Sequence, residues 1–173
     1  LSRSGEETAH RVARAIDAQV HGREGRVNAA DAFFANALDH TQSLFAAGVP
    51  IIGVCASGIL IRGVAPLLAD KHNEPPVISV SDDGAVIVPL LGGHRGANRM
   101  AREISQALGG VAAVTTAGDV AMGVALDEPS VGYALANPED AKGVMAKMLG
   151  GSGVCIQGEN IFDLDSVEGG VDL

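Results

Sequence analysis

Two apolar runs, VISV at 77–80 and AVIVPLL at 85–91, are separated only by Ser-Asp-Asp-Gly. A turn containing Asp-Gly between short apolar runs predicts a β-hairpin, because so tight a reversal needs residues that tolerate positive φ. On either side of the hairpin the pattern changes to strand followed by helix. VPIIGVC is a short continuous apolar run, typical of a buried parallel strand, and it leads through CASG into the apolar helix ILIRGVAPLLAD. After the hairpin, LLGGHRGANRMARE opens another helix, and VAAVTTAGD reads as the strand that follows. Strand–helix alternation makes a parallel sheet, and a hairpin inside it makes the sheet mixed. The expected fold is therefore α/β and three-layer, with an open, mostly parallel sheet, a β-hairpin and helices on both faces.

The core of such a sheet has to be aliphatic here. Apolar residues make up 47% of the 173-residue chain, but aromatic residues only 3%, with no Trp and 23 Gly. Ala, Val, Leu and Ile must fill the helix–sheet interfaces. The length fits one domain, expected over 1–158, followed by an acidic, aperiodic segment at 159–173 that reads as a linker or an extended arm.

Ser4 and Glu7 fit a capping box ahead of a helix carrying Ala9, Val12, Ala13, Ile16 and Val20, with Leu1 read as the end of a preceding strand. Residues 20–31 read as a short strand and loop. Phe33, Phe34, Ala37, Leu38, Thr41, Leu44 and Phe45 predict a second helix ending at Gly48, and Pro66 should divide the third. Asn137 and Pro138 mark the start of a last helix, and VCIQG a last edge strand.

A formal net charge of -9 argues against nucleic acid or an anionic membrane as partner, so any anionic ligand must be met by a local feature. Two cysteines, Cys55 and Cys155, make no disulfide framework, and no signal sequence or apolar run of membrane length is present. The expected location is cytoplasmic. His10, His21, His40 and His72 lack metal-ligand spacing, so no metal site is expected. GGHRGAN lacks the G-x-G-x-x-G spacing and there is no Walker sequence, which leaves nucleotide binding as a competing reading only.

LLGGHRGANRMARE sits where a strand hands over to a helix, the position at which open α/β sheets bind ligands. Ala97, Met100, Ala101, Ile104 and Leu108 share one helical face, while Arg95, Arg99 and Arg102 share the other. Gly92, Gly93 and Gly96 would let the backbone approach a carboxylate or phosphate closely. Arg99 and Arg102 also fit a plain solvated stripe. His94 is the loop residue able to exchange a proton near neutral pH, as a general base or merely as a hydrogen-bonding loop histidine. In the second turn, Ser57 could cap its helix or bind an anion, and Cys55 reads as a small buried filler. Thr115, Thr116 and Asp119 close a third strand end, where hydroxyls could line a crevice.

GVCASGILIRGVAPLLADK, the hairpin, LLGGHRGANRMAREISQALGG and VAAVTTAGD, in that order and spacing, resemble the N-terminal region of the cobalamin biosynthesis protein CbiG, the cobalt-precorrin-5A hydrolase family. The likeness runs from about Val49 to Asp119, with LSRSGEETAHRVARAI also in keeping. It implies hydrolytic opening of a δ-lactone on a cobalt-precorrin tetrapyrrole, with release of acetaldehyde. No protein-bound cofactor is implied, because the substrate carries the cobalt. Other enzymes of the cobalamin pathway would be partners.

The family's glycine-histidine motif falls on Gly92, Gly93, His94, Gly96, Ala97 and Asn98, and its strand-turn-helix motif on Cys55, Ala56, Ser57 and Gly58. The resemblance implies His94, Ser57 and Asn98 as catalytic residues. Gly92, Gly93, Arg95, Gly96, Cys55, Ala56, Gly58, Thr115 and Thr116 would bind substrate, with the two helix N-termini gathered on one edge of the sheet. Family members continue into further regions, and similar N-terminal regions occur joined to precorrin-3B C-17 methyltransferase. The alternative implied is a non-catalytic binding or channelling module of a larger corrin-making enzyme.

Overall fold

The structure is a computed structural model that describes residues 3–71, 73–116, 118, 126, 129, 132–162, 164–165, 167 and 169–172. The expectations for Leu1, His72 and Asp119 lie outside the described residues. The chain divides into two compact units, Leu1–Val114 and Thr115–Leu173.

In the first unit the sheet is built around VISV. Every residue of this strand, β4 (Val77–Val80), is buried, so both of its faces are covered. On one side it pairs in parallel with β3 (Ile51–Val54), and on the other antiparallel with β5 (Val86–Leu91). Beyond β5 lies β6 (Val111–Ala112), again parallel, giving the order β3-β4-β5-β6. The mixed, mostly parallel sheet expected from the hairpin is thus present. Pro89 is tolerated within β5 because the β6 ladder pairs only Val86 and Ile87, so the missing N–H falls where no neighbour needs it.

Helices cover both faces, as expected. Ile78 and Val80 pack with Val12 of α1 (Glu6–Ile16) and with Ala97, Ala101 and Ile104 of α4 (Ala97–Leu108). Val77, pointing the other way, packs with Phe45 of α2 (Ala37–Ala46) and with Leu60 and Val64 of α3 (Ser57–Val64). Burying each such aliphatic side chain contributes roughly 1.5–3 kcal/mol. Pro66 lies in a 3-10 turn, Ala65–Leu67, that closes α3, the division expected of it.

Asp83 makes the hairpin turn. Its Oδ1 accepts from Ser81 Oγ at 2.5 Å and from the Ala85 N–H at 3.0 Å, which holds its carboxyl below the usual range. Gly84 follows with a φ of 73°.

Three local expectations are corrected. Ser4 does not cap α1: the cap position is Gly5, and the Ser4 hydroxyl donates instead to Asp82 Oδ2 at 2.5 Å. Phe33 and Phe34 are not helical. They belong to β2 (Ala32–Phe34), which pairs in parallel with β1 (His21–Arg23) as a separate two-stranded ribbon. The helix starts later, at Ala37, with Asn36 Oδ1 accepting from the Leu38 N–H at 2.9 Å. VAAVTTAGD forms a ladder only at Val111–Ala112, extended by the Ala113 N–H donating to the Ile87 carbonyl at 2.7 Å.

The second unit contains α5 (Pro138–Leu149), with Asn137 at the cap position. The Asn137 side chain donates to Asp140 Oδ2 at 2.8 Å rather than capping the backbone. β7 (Val154–Cys155) pairs in parallel with β8 (Val171–Asp172). The acidic C-terminal segment therefore returns to pair with the strand read from VCIQG.

Candidate functional site

The β5–α4 junction is a loop in which each glycine has a different reason to be there. β5 ends at Leu91, and Gly92 turns the chain in the left-handed region at φ 71°, ψ 33°. A Cβ on Gly92 would lie 2.7 to 2.9 Å from backbone atoms of Pro75 and Pro76, so no side chain fits. Gly93–Arg95 form a 3-10 turn, and Gly96, at φ 98°, enters α4 as a cap without a side chain. Gly93 needs neither positive φ nor empty space, since its Cβ would meet only the end of Asn98 at 3.5 Å.

Part of the loop's backbone is turned inward. The Arg95 and Ala97 N–H groups both donate to the Gly92 carbonyl, at 2.9 and 3.1 Å, and the Gly96 N–H donates to Gly93. Within the expected cradle from Gly92 to Gly96, the Arg95 and Gly96 amides are thus committed to their own loop. What the junction still presents is the positive end of a 12-residue helix. His94 is the central residue of the 3-10 turn. Arg95 is exposed, Arg99 is exposed and paired with Glu103 at 3.2 Å, and Arg102 is half-buried. Asn98 is only 5% exposed and lies beneath Gly93, where it supports the loop from inside rather than facing solvent.

The β3–α3 junction is built differently. Ala56 occupies the cap position and Ser57 is the first helical residue. Among the described residues the Ser57 hydroxyl has no hydrogen-bond partner, so the expected cap is not made. Cys55 to Ser57, with Ser79, Ser81 and Asp82, line an open depression of about 430 Å³. Ser79 Oγ donates to the Cys55 carbonyl at 2.7 Å, tying β4 to the turn. Burial pushes the Cys55 thiol up, and Asp82 adds to the shift, so it remains a thiol at neutral pH. Gly58 leaves room for Arg62, whose Nη1 donates to the Gly58 carbonyl at 3.0 Å.

The two junctions do not share an edge of the sheet. Cys55 leaves from the end of β3 beside Val80, donating its N–H to the Val80 carbonyl at 3.2 Å. Gly92 leaves from beside Val77, because β5 runs antiparallel and Leu91 pairs with Val77. The length of β4, about 10 Å at 3.3 Å per residue, separates them. Thr115 and Thr116 are exposed and open the second unit. The residues missed in the depression, Ser79, Ser81 and Asp82, were legible only as strand and turn. Among the described residues, no group of three or more His, Cys, Asp or Glu could hold a metal ion. No helix among them is long and apolar enough to cross a membrane.

The family model described as Cobalamin synthesis G N-terminal matches residues 39–119, the stretch that contains the hairpin and both junctions. Residues 39–119 are thus similar to the cobalamin synthesis G N-terminal family. Among curated relatives, a cobalt-precorrin-5A hydrolase of Priestia megaterium is 36% identical over 86 residues, 49% of this chain and 23% of the relative. A cobalt-precorrin-5A hydrolase of Salmonella typhimurium strain LT2 is 37% identical over 98 residues, covering 56% and 27% respectively. The chain thus spans about a quarter of the length of these relatives. A solved cobalamin biosynthesis protein G homolog from Sulfolobus solfataricus is 23% identical, with a TM-score of 0.47, covering 96% of this chain and 48% of that one. The matched domain leaves out α1, the β1–β2 ribbon and nearly all of the second unit.

Proposed function

We propose that the chain binds a cobalt-precorrin tetrapyrrole and that its β5–α4 loop acts in opening the δ-lactone of cobalt-precorrin-5A, with release of acetaldehyde. The observation that carries this reading is the family match over 39–119, which takes in a loop whose Gly92 is sterically fixed against Pro75–Pro76. In this scheme His94 takes a proton from water as it adds to the lactone carbonyl, and the N-terminal end of α4 offsets the negative charge that develops. Arg95 serves as a charge clamp for a carboxylate arm of the substrate. Asn98 acts from beneath, holding the loop. The lactone cannot also reach the Ser57 hydroxyl, so Ser57 is left with a binding role at the depression, alongside Cys55, Ala56 and Gly58. Water supplies the nucleophile, and no protein-bound cofactor enters.

A second reading, a binding or channelling module without catalysis, is favoured by coverage of only about a quarter of the matched hydrolases. One experiment separates the two. The purified chain is titrated with cobalt-precorrin-5A by absorbance while acetaldehyde is assayed. Binding with acetaldehyde release supports the hydrolase, binding without release supports the module, and absence of binding removes both.

A further inference from the structure

His21 on β1 and His40 on α2 lack metal-ligand spacing in the sequence, yet the fold joins them. His21 Nδ1 lies 2.7 Å from His40 Nε2, so one ring donates a proton to the other. The His40 ring also stacks on Phe34 of β2, with centroids 4.7 Å apart and planes 11° apart. Three elements thus meet on one imidazole, and this contact ties the β1–β2 ribbon to α2.

We propose that His21 and His40 form an acid-released latch that holds the β1–β2 ribbon onto α2. A single hydrogen bond between two imidazoles needs at least one nitrogen free to accept, and two imidazolium rings at this distance repel. Burial, and then the neighbouring His21, hold the His40 ring below the usual imidazole range. The folded form therefore resists protonation. The stability contributed by neutral His40 is complete above the ordinary value near 6.5 and is lost as pH falls through the lower folded value.

Other charged groups near the ribbon lie on α1, on α2 and in the ribbon itself. On α1, Glu6 accepts from the Asn28 and Ala29 N–H groups, which keeps its carboxyl low and ionised. His10 Nε2 meets the Ala29 carbonyl at 3.2 Å, a contact in which protonated imidazole still donates. In the β1–β2 connection, Asp31 accepts from the Val20 N–H at 2.7 Å, and Glu24 and Arg26 are exposed. Arg23 on β1 and Asp39 on α2 are exposed as well.

Hydrogen exchange of the full 173-residue chain, followed by mass spectrometry between pH 7.5 and 5, tests the latch. With rates corrected for intrinsic pH dependence, protection of segment 20–36 should fall relative to α4 as the pH is lowered. His40→Phe keeps the stack on Phe34 and removes the titration, and His21→Gln removes the other ring. In folded His40→Phe protection should no longer vary with pH, and in folded His21→Gln the variation should shrink to what burial of His40 alone leaves. Unchanged ribbon protection in the parent chain, or an unaltered pH dependence in both variants, overturns the proposal.

Discussion

The β3–α3 and β5–α4 junctions use the same device, a strand ending at a small-residue turn that starts a helix, yet they share little else. At the first, Ser79 ties the turn to the next strand, and the Ser57 hydroxyl has no partner among the described residues and lines an open depression. At the second, the turn is folded on itself: three N–H groups point at the Gly92 and Gly93 carbonyls, and Gly92 touches the chain sixteen residues earlier. One junction is open and held by neighbouring side chains; the other is closed and held by backbone. Similar sequence cues therefore do not make similar sites, and placing both turns at one edge of the sheet requires a parallel β5 that this chain does not have.

Substitutions can break this contrast. The largest effect is expected from His94→Ala, with turnover of cobalt-precorrin-5A falling by roughly 10²–10⁴-fold while affinity by absorbance titration changes little. Equal losses in both would assign His94 to binding alone. Gly92→Ala combines a left-handed backbone with a clash against Pro75–Pro76, and should cost about 3 kcal/mol in urea unfolding. Its neighbour is the control. Gly93→Ala meets only the Asn98 side chain and should stay within about 1 kcal/mol.

Smaller effects sharpen the separation of the two ends. Ser57→Ala removes no cap bond, so stability should change by less than about 0.5 kcal/mol. Combined with His94→Ala, its effect on substrate binding should be additive within about 0.5 kcal/mol, as expected for sites a strand length apart. Strong coupling would place both residues on one substrate group. Arg99→Ala, which breaks the exposed pair with Glu103, should change thermal unfolding by no more than about 1 kcal/mol.

Much of the fold could be read directly, and the reasons are local. VISV and IIGV are continuous apolar runs because both strands are covered on both sides, and Asp83–Gly84 carries the chemistry of its own turn. Ala97, Ala101 and Ile104 repeat at helical spacing because they face the sheet. The errors arose where a long-range partner overrode a local signal. Ser4 and Glu7 match a capping box, but the Ser4 hydroxyl is taken by Asp82, 78 positions away. Phe33 and Phe34 adjoin a helical pattern, and a three-residue strand is too short to show its own period. The hairpin itself was legible. Its consequence, that reversing β5 carries His94 to the far end of the sheet from Ser57, follows only when strand direction is traced through the register. The His21–His40 contact leaves no cue in spacing, since one ring comes from a strand and the other from a helix.

Gly92 and the Pro75–Pro76 backbone sit at the two outer ends of the β4–β5 hairpin, and each occupies the space the other leaves. That contact makes the loop depend on the outer end of the hairpin, whose last pair is Val77 with Leu91. Fraying at that pair would open the histidine turn while the sheet behind stays intact.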